Sequence, residues 1–144
     1  MNRSESIEEL IVAAHALTRI AAHETGNDAP AAQWRVLSLL RHDGPLRVGE
    51  LAAASRVTQP GMTRLVTRLT ENGLVERTGD PADSRATVVS ITDQGADALT
   101  QWRTQLGQTV SARLADIDES DWTAIARVAE LLAARTAVPV GAAR

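Results

Sequence analysis

The sequence predicts a mainly α-helical fold carrying a single β-hairpin, on three observations. Apolar residues recur at spacings of three and four on both sides of the chain's middle, the period of half-buried helices. In the middle, two short helical patterns, Val48 to Ser55 and Gln59 to Asn72, are separated by a tight polar break. Two β-type runs, Leu74 to Thr78 and Thr87 to Ile91, follow at once, joined by a segment rich in Gly, Asp, Pro, Ser and Arg. Two helices across a short turn and then a hairpin make a winged helix-turn-helix, which usually grips DNA. The expected organisation is one domain, 1–144, with a DNA-binding lobe over 45–95 and dimerisation helices over 4–24 and 96–137.

The first helix is expected to be capped by Ser4 or Ser6 and to run to about Glu24, with Ile7, Leu10, Ile11, Ala14, Leu17 and Ala21 as its apolar stripe. His15, Arg19 and His23 repeat every four residues on a neighbouring face. Such a row can line an anionic ligand pocket or simply face solvent or an interface. Gly26 to Pro30 reads as a loop. A second helix follows from about Ala31 to His42, with Trp34, Leu37, Leu39 and Leu40 apolar; Trp34 is either core or the wall of a pocket. Asp43-Gly44-Pro45 ends it. Leu46-Arg47-Val48 is short enough to pair as a third strand against the hairpin, and Val48, Leu51 and Ala52 form the buried side of the next helix.

In the Gln59 to Asn72 helix, Met62, Leu65, Val66 and Leu69 fall on one face, which packs inward. The opposite face carries Gln59, Thr63, Arg64, Thr67 and Arg68. Arg can fork onto guanine, Gln onto adenine, and Thr onto a base or a phosphate; the competing reading is a solvated face. Thr58 suits the N-cap and Pro60 the first turn, where a missing N–H costs nothing. Gly61 is a poor helix former, and a bare backbone there would let a phosphate chain come close. Gly73 is the expected left-handed C-cap residue. The connection Gly79 to Ala86 looks too long for a two-residue turn and should project as a wing with Arg85 near its tip, where an inserted Arg suits a narrow minor groove. Asp83 stands two residues before Arg85, close enough to hold it in position. Thr92 is the expected N-cap of a long helix through Ala98, Leu99, Trp102, Leu106, Val110 and Leu114, with Asp93 favourably placed in its first turn. Ile117 to Ser120 breaks it. A last helix, about Glu119 to Ala137, uses Trp122, Ile125, Val128, Ala129 and Leu132; Pro139 stops it and Val140 to Arg144 reads as a frayed tail.

The run Asp80-Pro81-Ala82-Asp83-Ser84-Arg85, then Val89, then Ile91-Thr92-Asp93-Gln94-Gly95, resembles the wing signature of the MarR family of bacterial transcriptional regulators. Thr63 to Val66 and Leu69-x-x-x-Gly73-Leu74-Val75 resemble that family's recognition helix and exit strand. The resemblance implies an all-helical dimer with two wings, an operator in double-stranded DNA, repression as the commoner mode, and often a small-molecule effector lodged between the dimer helices and the DNA lobe. His15, Arg19 and Trp34 are the candidates for that pocket, with Arg19 best placed to meet a carboxylate of a small aromatic or anionic effector.

Composition narrows the alternatives. Cysteine is absent, which excludes disulfides, thiolate metal sites and thiol-based redox sensing. No GxSxG, phosphate-loop or HExxH pattern occurs and the histidines lack triad partners, so no enzyme, cofactor or metal site is expected. No run of about 18 apolar residues suggests a membrane span, and the N-terminus has no signal-peptide pattern, so a cytoplasmic protein is expected. Every basic residue is Arg. The net charge is −3, yet Pro45 to Ile91 holds six Arg against five acids, and the remainder nine against thirteen. DNA binding would therefore rest on a few placed charges. The terminal helices carry more apolar surface than one small lobe can cover, which points to a two-fold homodimer and hence an inverted-repeat operator. A winged-helix module that binds protein instead of DNA is the alternative.

Overall fold

A computed structural model describes residues 1–136. The expectations for Ala137, Pro139 and Val140 to Arg144 lie outside the described residues. In chain order the elements are α1 (Arg3–Glu24), α2 (Ala31–Asp43), α3 (Val48–Ser55), α4 (Gln59–Glu71), β1 (Val75–Asp80), β2 (Asp83–Ile91), α5 (Asp93–Arg113) and α6 (Glu119–Thr136). The mainly helical fold with one hairpin is as the sequence predicts. The chain forms two compact units: Met1–Ala29 with Gln101–Val128, and Pro30–Thr100 with the described chain from Ala129.

In the first unit the N-cap of α1 is Asn2, not Ser4 or Ser6. Asn2 Oδ1 accepts from the Glu5 N–H at 2.9 Å, and the Glu5 carboxylate accepts from the Asn2 N–H at 2.8 Å. This reciprocal pair satisfies two orphan donors at once, which a lone serine does not. Ser6 instead donates back to the Asn2 carbonyl. Arg113 of α5 pairs with Glu24 of α1 at 2.8 Å. Asp118 accepts from the Asp121 N–H at 2.9 Å and the Ser120 hydroxyl at 2.7 Å, capping α6. Those bonds, the Ser120 hydroxyl foremost, hold its carboxyl below the ordinary range. Ala21 is the buried residue of α1, and α6 has none. Ile7 and Ile11 are each 50% exposed and Val12 60%, while Ile125, Val128 and Leu131 of α6 are also open.

The second unit has the core. Val36, Leu37 and Leu40 of α2, Leu51 and Ala52 of α3, and all four expected apolar residues of α4 are buried in one cluster with Leu74, Val75, Val89 and Leu99. Trp34 and Leu39 pack against it, half-buried. Leu46 makes a single two-bond bridge to Val89 and no longer strand, because Val48 already begins α3. The turn between α3 and α4 places Arg56 at φ 55°, left-handed, so that the chain reverses within three residues. Gly73 sits at φ 75°; its N–H bonds the Thr70 carbonyl while the Leu74 N–H reaches back to Leu69, closing α4 as expected.

The hairpin differs from expectation. Its strands extend to Asp80 and Asp83, so the connection is the two-residue turn Pro81-Ala82 and not the loop Gly79 to Ala86. Val75 lies opposite Ile91 and Gly79 opposite Thr87; the register then shifts so that Asp80 lies opposite Asp83. Ser84, Arg85 and Ala86 are absorbed as a bulge in β2, and Arg85 stands there instead of at the tip. The reason is aspartate chemistry: Asp80 Oδ1 accepts from the Ala82 N–H at 2.9 Å and Asp83 Oδ1 from the Arg85 N–H at 3.0 Å. Each side chain bonds the backbone two residues on and tightens the chain locally.

Thr92 caps α5 as expected and also ties the hairpin to α4. Its hydroxyl accepts from the Gly95 N–H at 3.0 Å and donates to the Gly73 carbonyl at 2.6 Å, and its own N–H bonds the Leu74 carbonyl at 3.1 Å.

Candidate nucleic-acid interface

Thr58 caps α4, its hydroxyl accepting from the Gly61 N–H at 3.2 Å, with Pro60 in the first turn. Gly61 has a structural role of its own. A Cβ there would stand 3.0 Å from Thr58 Oγ1 and 3.2 Å from Val57 Cγ1, so the bare carbon keeps the cap closed. Gln59, Thr63, Arg64, Thr67 and Arg68 are all exposed. Helical phase, 100° per residue, sets Arg64 and Arg68 on one flank of that outer face, Gln59 and Thr63 on the other, and Thr67 between. The Thr63 hydroxyl donates to the Gln59 carbonyl at 3.0 Å and the Thr67 hydroxyl to the Thr63 carbonyl at 2.9 Å. With its proton directed into the helix, Thr63 offers an acceptor and a methyl group outward, which suits a base edge or a thymine methyl better than a phosphate.

On the wing, Asp83 and Arg85 are exposed. Asp83 steadies Arg85 through its backbone N–H, as described above, so the bond fixes the Arg85 peptide. Two contacts escaped the sequence. Arg47, just before α3, reaches Asp80 with Nε at 2.8 Å and Nη2 at 2.6 Å, tying the base of the wing to the helix-turn-helix. The Ala82 N–H first, and then the Arg47 guanidinium, hold the Asp80 carboxyl below the ordinary carboxylate range, and Asp80 in turn raises Arg47. Arg77 of β1 donates from Nη2 to Thr67 Oγ1 at 3.0 Å. Partners 33 and 10 residues apart leave no local pattern in a sequence. Gln59, Arg47 and the wing residues Ala86 and Thr87 line one open recess of about 480 Å³.

The effector candidates are divided between the two units. Arg19 lines an open recess of about 350 Å³ with Ile20, His23, Glu24 and Arg113. His15, one turn earlier on α1, is exposed and is not part of that lining. Trp34 belongs to the second unit, packed against its core.

An amphipathic helix that buries one face and presents Gln, Thr and Arg on the other, beside an arginine-bearing hairpin, defines a winged helix-turn-helix DNA-binding protein. A model of the MarR family matches residues 28–86. Over 102 residues, 71% of each chain, the sequence is 31% identical to the HTH-type transcriptional regulator MT0903.1 of Mycobacterium tuberculosis. Among solved structures, the transcriptional regulator Tm0710 from Thermotoga maritima is 26% identical with a TM-score of 0.69, covering 90% of this chain and 89% of that one. The Multiple Antibiotic Resistance Repressor, MarR, is 25% identical with a TM-score of 0.72, covering 94% and 96%. The chain belongs to the MarR family of transcriptional regulators. It is a DNA-binding regulator from a family of regulators, not of enzymes. No helix of the described residues is long and apolar enough to cross a membrane.

Proposed function

We propose that the protein is a homodimeric, sequence-specific repressor acting in the cytoplasm, with α4 in a major groove and the wing at the adjoining minor groove. The observation that carries the reading is the outward face of α4, where Gln59 and Arg64 stand exposed on a helix whose other face is wholly buried. These two should read bases, because the N-terminal half of such a helix enters the groove most deeply. Arg68, one turn on, suits a phosphate, and Arg85 supplies affinity more than base identity. The exposed isoleucines and valines of α1 and α6 support a dimer, since water-facing apolar surface of that kind is covered best by its own copy. A two-fold dimer takes an inverted-repeat operator with half-site centres about one helical turn apart. The same reading includes release by a small aromatic or anionic effector whose carboxylate Arg19 meets, which weakens operator binding only if it prefers the DNA-incompetent state. If Arg19→Ala leaves the effector response intact, that assignment fails.

Sedimentation should give twice the 15.4 kDa chain mass. Binding isotherms across a salt series, on DNA upstream of the protein's own gene and on a random duplex, test the rest. Arg64→Ala should cost about 1–3 kcal/mol and relax preference at one position of each half-site. Arg85→Ala should weaken both duplexes and flatten the salt slope by roughly one counterion per monomer. If both variants bind as the parent does, DNA docking in this manner is wrong and a protein-binding module takes its place.

A further inference from the structure

Arg77 stands in β1 directly opposite Val89, and residues paired across antiparallel strands share a face of the sheet. Val89 is fully buried, so this face is the one turned to the core. An arginine there keeps its charge in water by running its aliphatic stem along the apolar surface and carrying the head beyond it. Arg77 is exposed, and its head ends on Thr67 Oγ1, in the middle of the outer face of α4. That bond uses one of the five N–H donors a guanidinium offers. The charge is thereby held between the recognition helix and the wing.

Gln59 shares a recess with Ala86 and Thr87, which identifies the Gln59 and Thr63 side of α4 as the one facing the wing. Arg64 and Arg68 lie on the opposite flank by helical phase. Arg47 also lines the recess, with its guanidinium paired to Asp80. A helix in a major groove and a wing in the adjoining minor groove must straddle the sugar-phosphate strand that separates the two grooves. A cation held between them faces that strand.

We propose that Arg77 is a phosphate-binding residue, seated on the DNA backbone between the two grooves and positioned there by Thr67. The proposal rests on the docking given under Proposed function and deepens it: Thr67 acts through Arg77 and contributes no donor to DNA, because its own proton goes to the Thr63 carbonyl.

The experiment is a salt series of binding isotherms on the upstream duplex and on a random duplex. It compares Arg77→Met, which keeps the stem, Arg77→Lys, which keeps the charge, and Thr67→Val, which keeps the shape and removes the hydroxyl. Arg64→Ala and Arg85→Ala run beside them. Arg77→Met should weaken both duplexes about tenfold and flatten the slope of log affinity against log salt by roughly one counterion per monomer. Arg77→Lys should keep the slope. Thr67→Val should keep the slope and lose affinity a few-fold. A residue that only braces the wing would lower operator affinity without moving the slope on random duplex. A parental slope for Arg77→Met therefore overturns the proposal, and overturns it alone if Arg64→Ala and Arg85→Ala still weaken binding. If all three bind as the parent does, the docking itself has failed. Melting curves of the free variants guard against unfolding, and Arg77→Gln replaces Arg77→Met on the same isotherms if the latter does not fold.

Discussion

Gly95 and Gly107 lie in the same helix, and the same substitution should have opposite effects at the two. Gly95 is the third residue of α5, buried where the helix start meets the end of α4 and the hairpin. A Cβ built on it collides with the Leu74 carbonyl oxygen and stands 2.9 Å from the carbonyl carbon and 3.0 Å from Ile91 Cγ1. The oxygen cannot move aside freely, because it accepts from the Thr92 N–H at 3.1 Å. Overpacking against backbone costs about 1–3 kcal/mol, and disturbing the Thr92 bond adds about 1 kcal/mol. The gain in helix propensity from Gly to Ala, about 1 kcal/mol, offsets part of this. Gly95→Ala should therefore destabilise by roughly 3 kcal/mol, taking the upper end of the packing cost because the obstacle is main chain. At Gly107 nothing lies within 4 Å of the added carbon. Gly107→Ala should stabilise by about 0.5–1 kcal/mol. Urea unfolding followed by tryptophan fluorescence, at one fixed protomer concentration, measures both. If Gly95→Ala were as stable as the parent or more so, the close approach of α5 to the Leu74 carbonyl would not be a constraint on this fold.

Asp80 has a carboxyl held below its ordinary value of 3.8, so its contribution to the wing is fully present above that pH and lost as pH falls through the lower folded value. An NMR titration should place its midpoint below 3.8, and Arg47→Ala should move it upward; a midpoint at or above 3.8 in the parent would show that the Ala82 and Arg47 bonds do not persist in solution. Ser55 closes α3 with a buried hydroxyl that has no hydrogen-bond partner among the described residues. Ser55→Ala removes an orphan polar group and raises helix propensity, so it should stabilise by about 1 kcal/mol; a lower urea midpoint would mean the hydroxyl has a partner in solution.

Local chemistry was readable because its signals repeat or sit a few residues apart. The burial of Met62, Leu65, Val66 and Leu69 follows from a spacing that only a helix brings to one face. Thr58, Gly73 and Thr92 occupy the cap positions expected of them. The start of α1 was misread because Ser4 and Ser6 are good cap residues in isolation, whereas Asn2 with Glu5 satisfies two donors together. The wing was misread because loop length in sequence does not distinguish a long turn from a short turn with a bulge. Asp80 and Asp83 decided that by bonding their own backbone.

The sequence by itself determined the helices of the helix-turn-helix, the polar face of α4 and the presence of an arginine-bearing hairpin, since each depends on periodicity or on side chains within one turn of their partners. Only the tertiary structure decided which of the arginines are engaged and with what. Arg47 is joined to Asp80 and Arg77 to Thr67, with Arg64, Arg68 and Arg85 exposed beside them. A guanidinium carries the same charge and reach wherever it stands in the chain; the fold chooses its partner by bringing together residues that the sequence keeps apart.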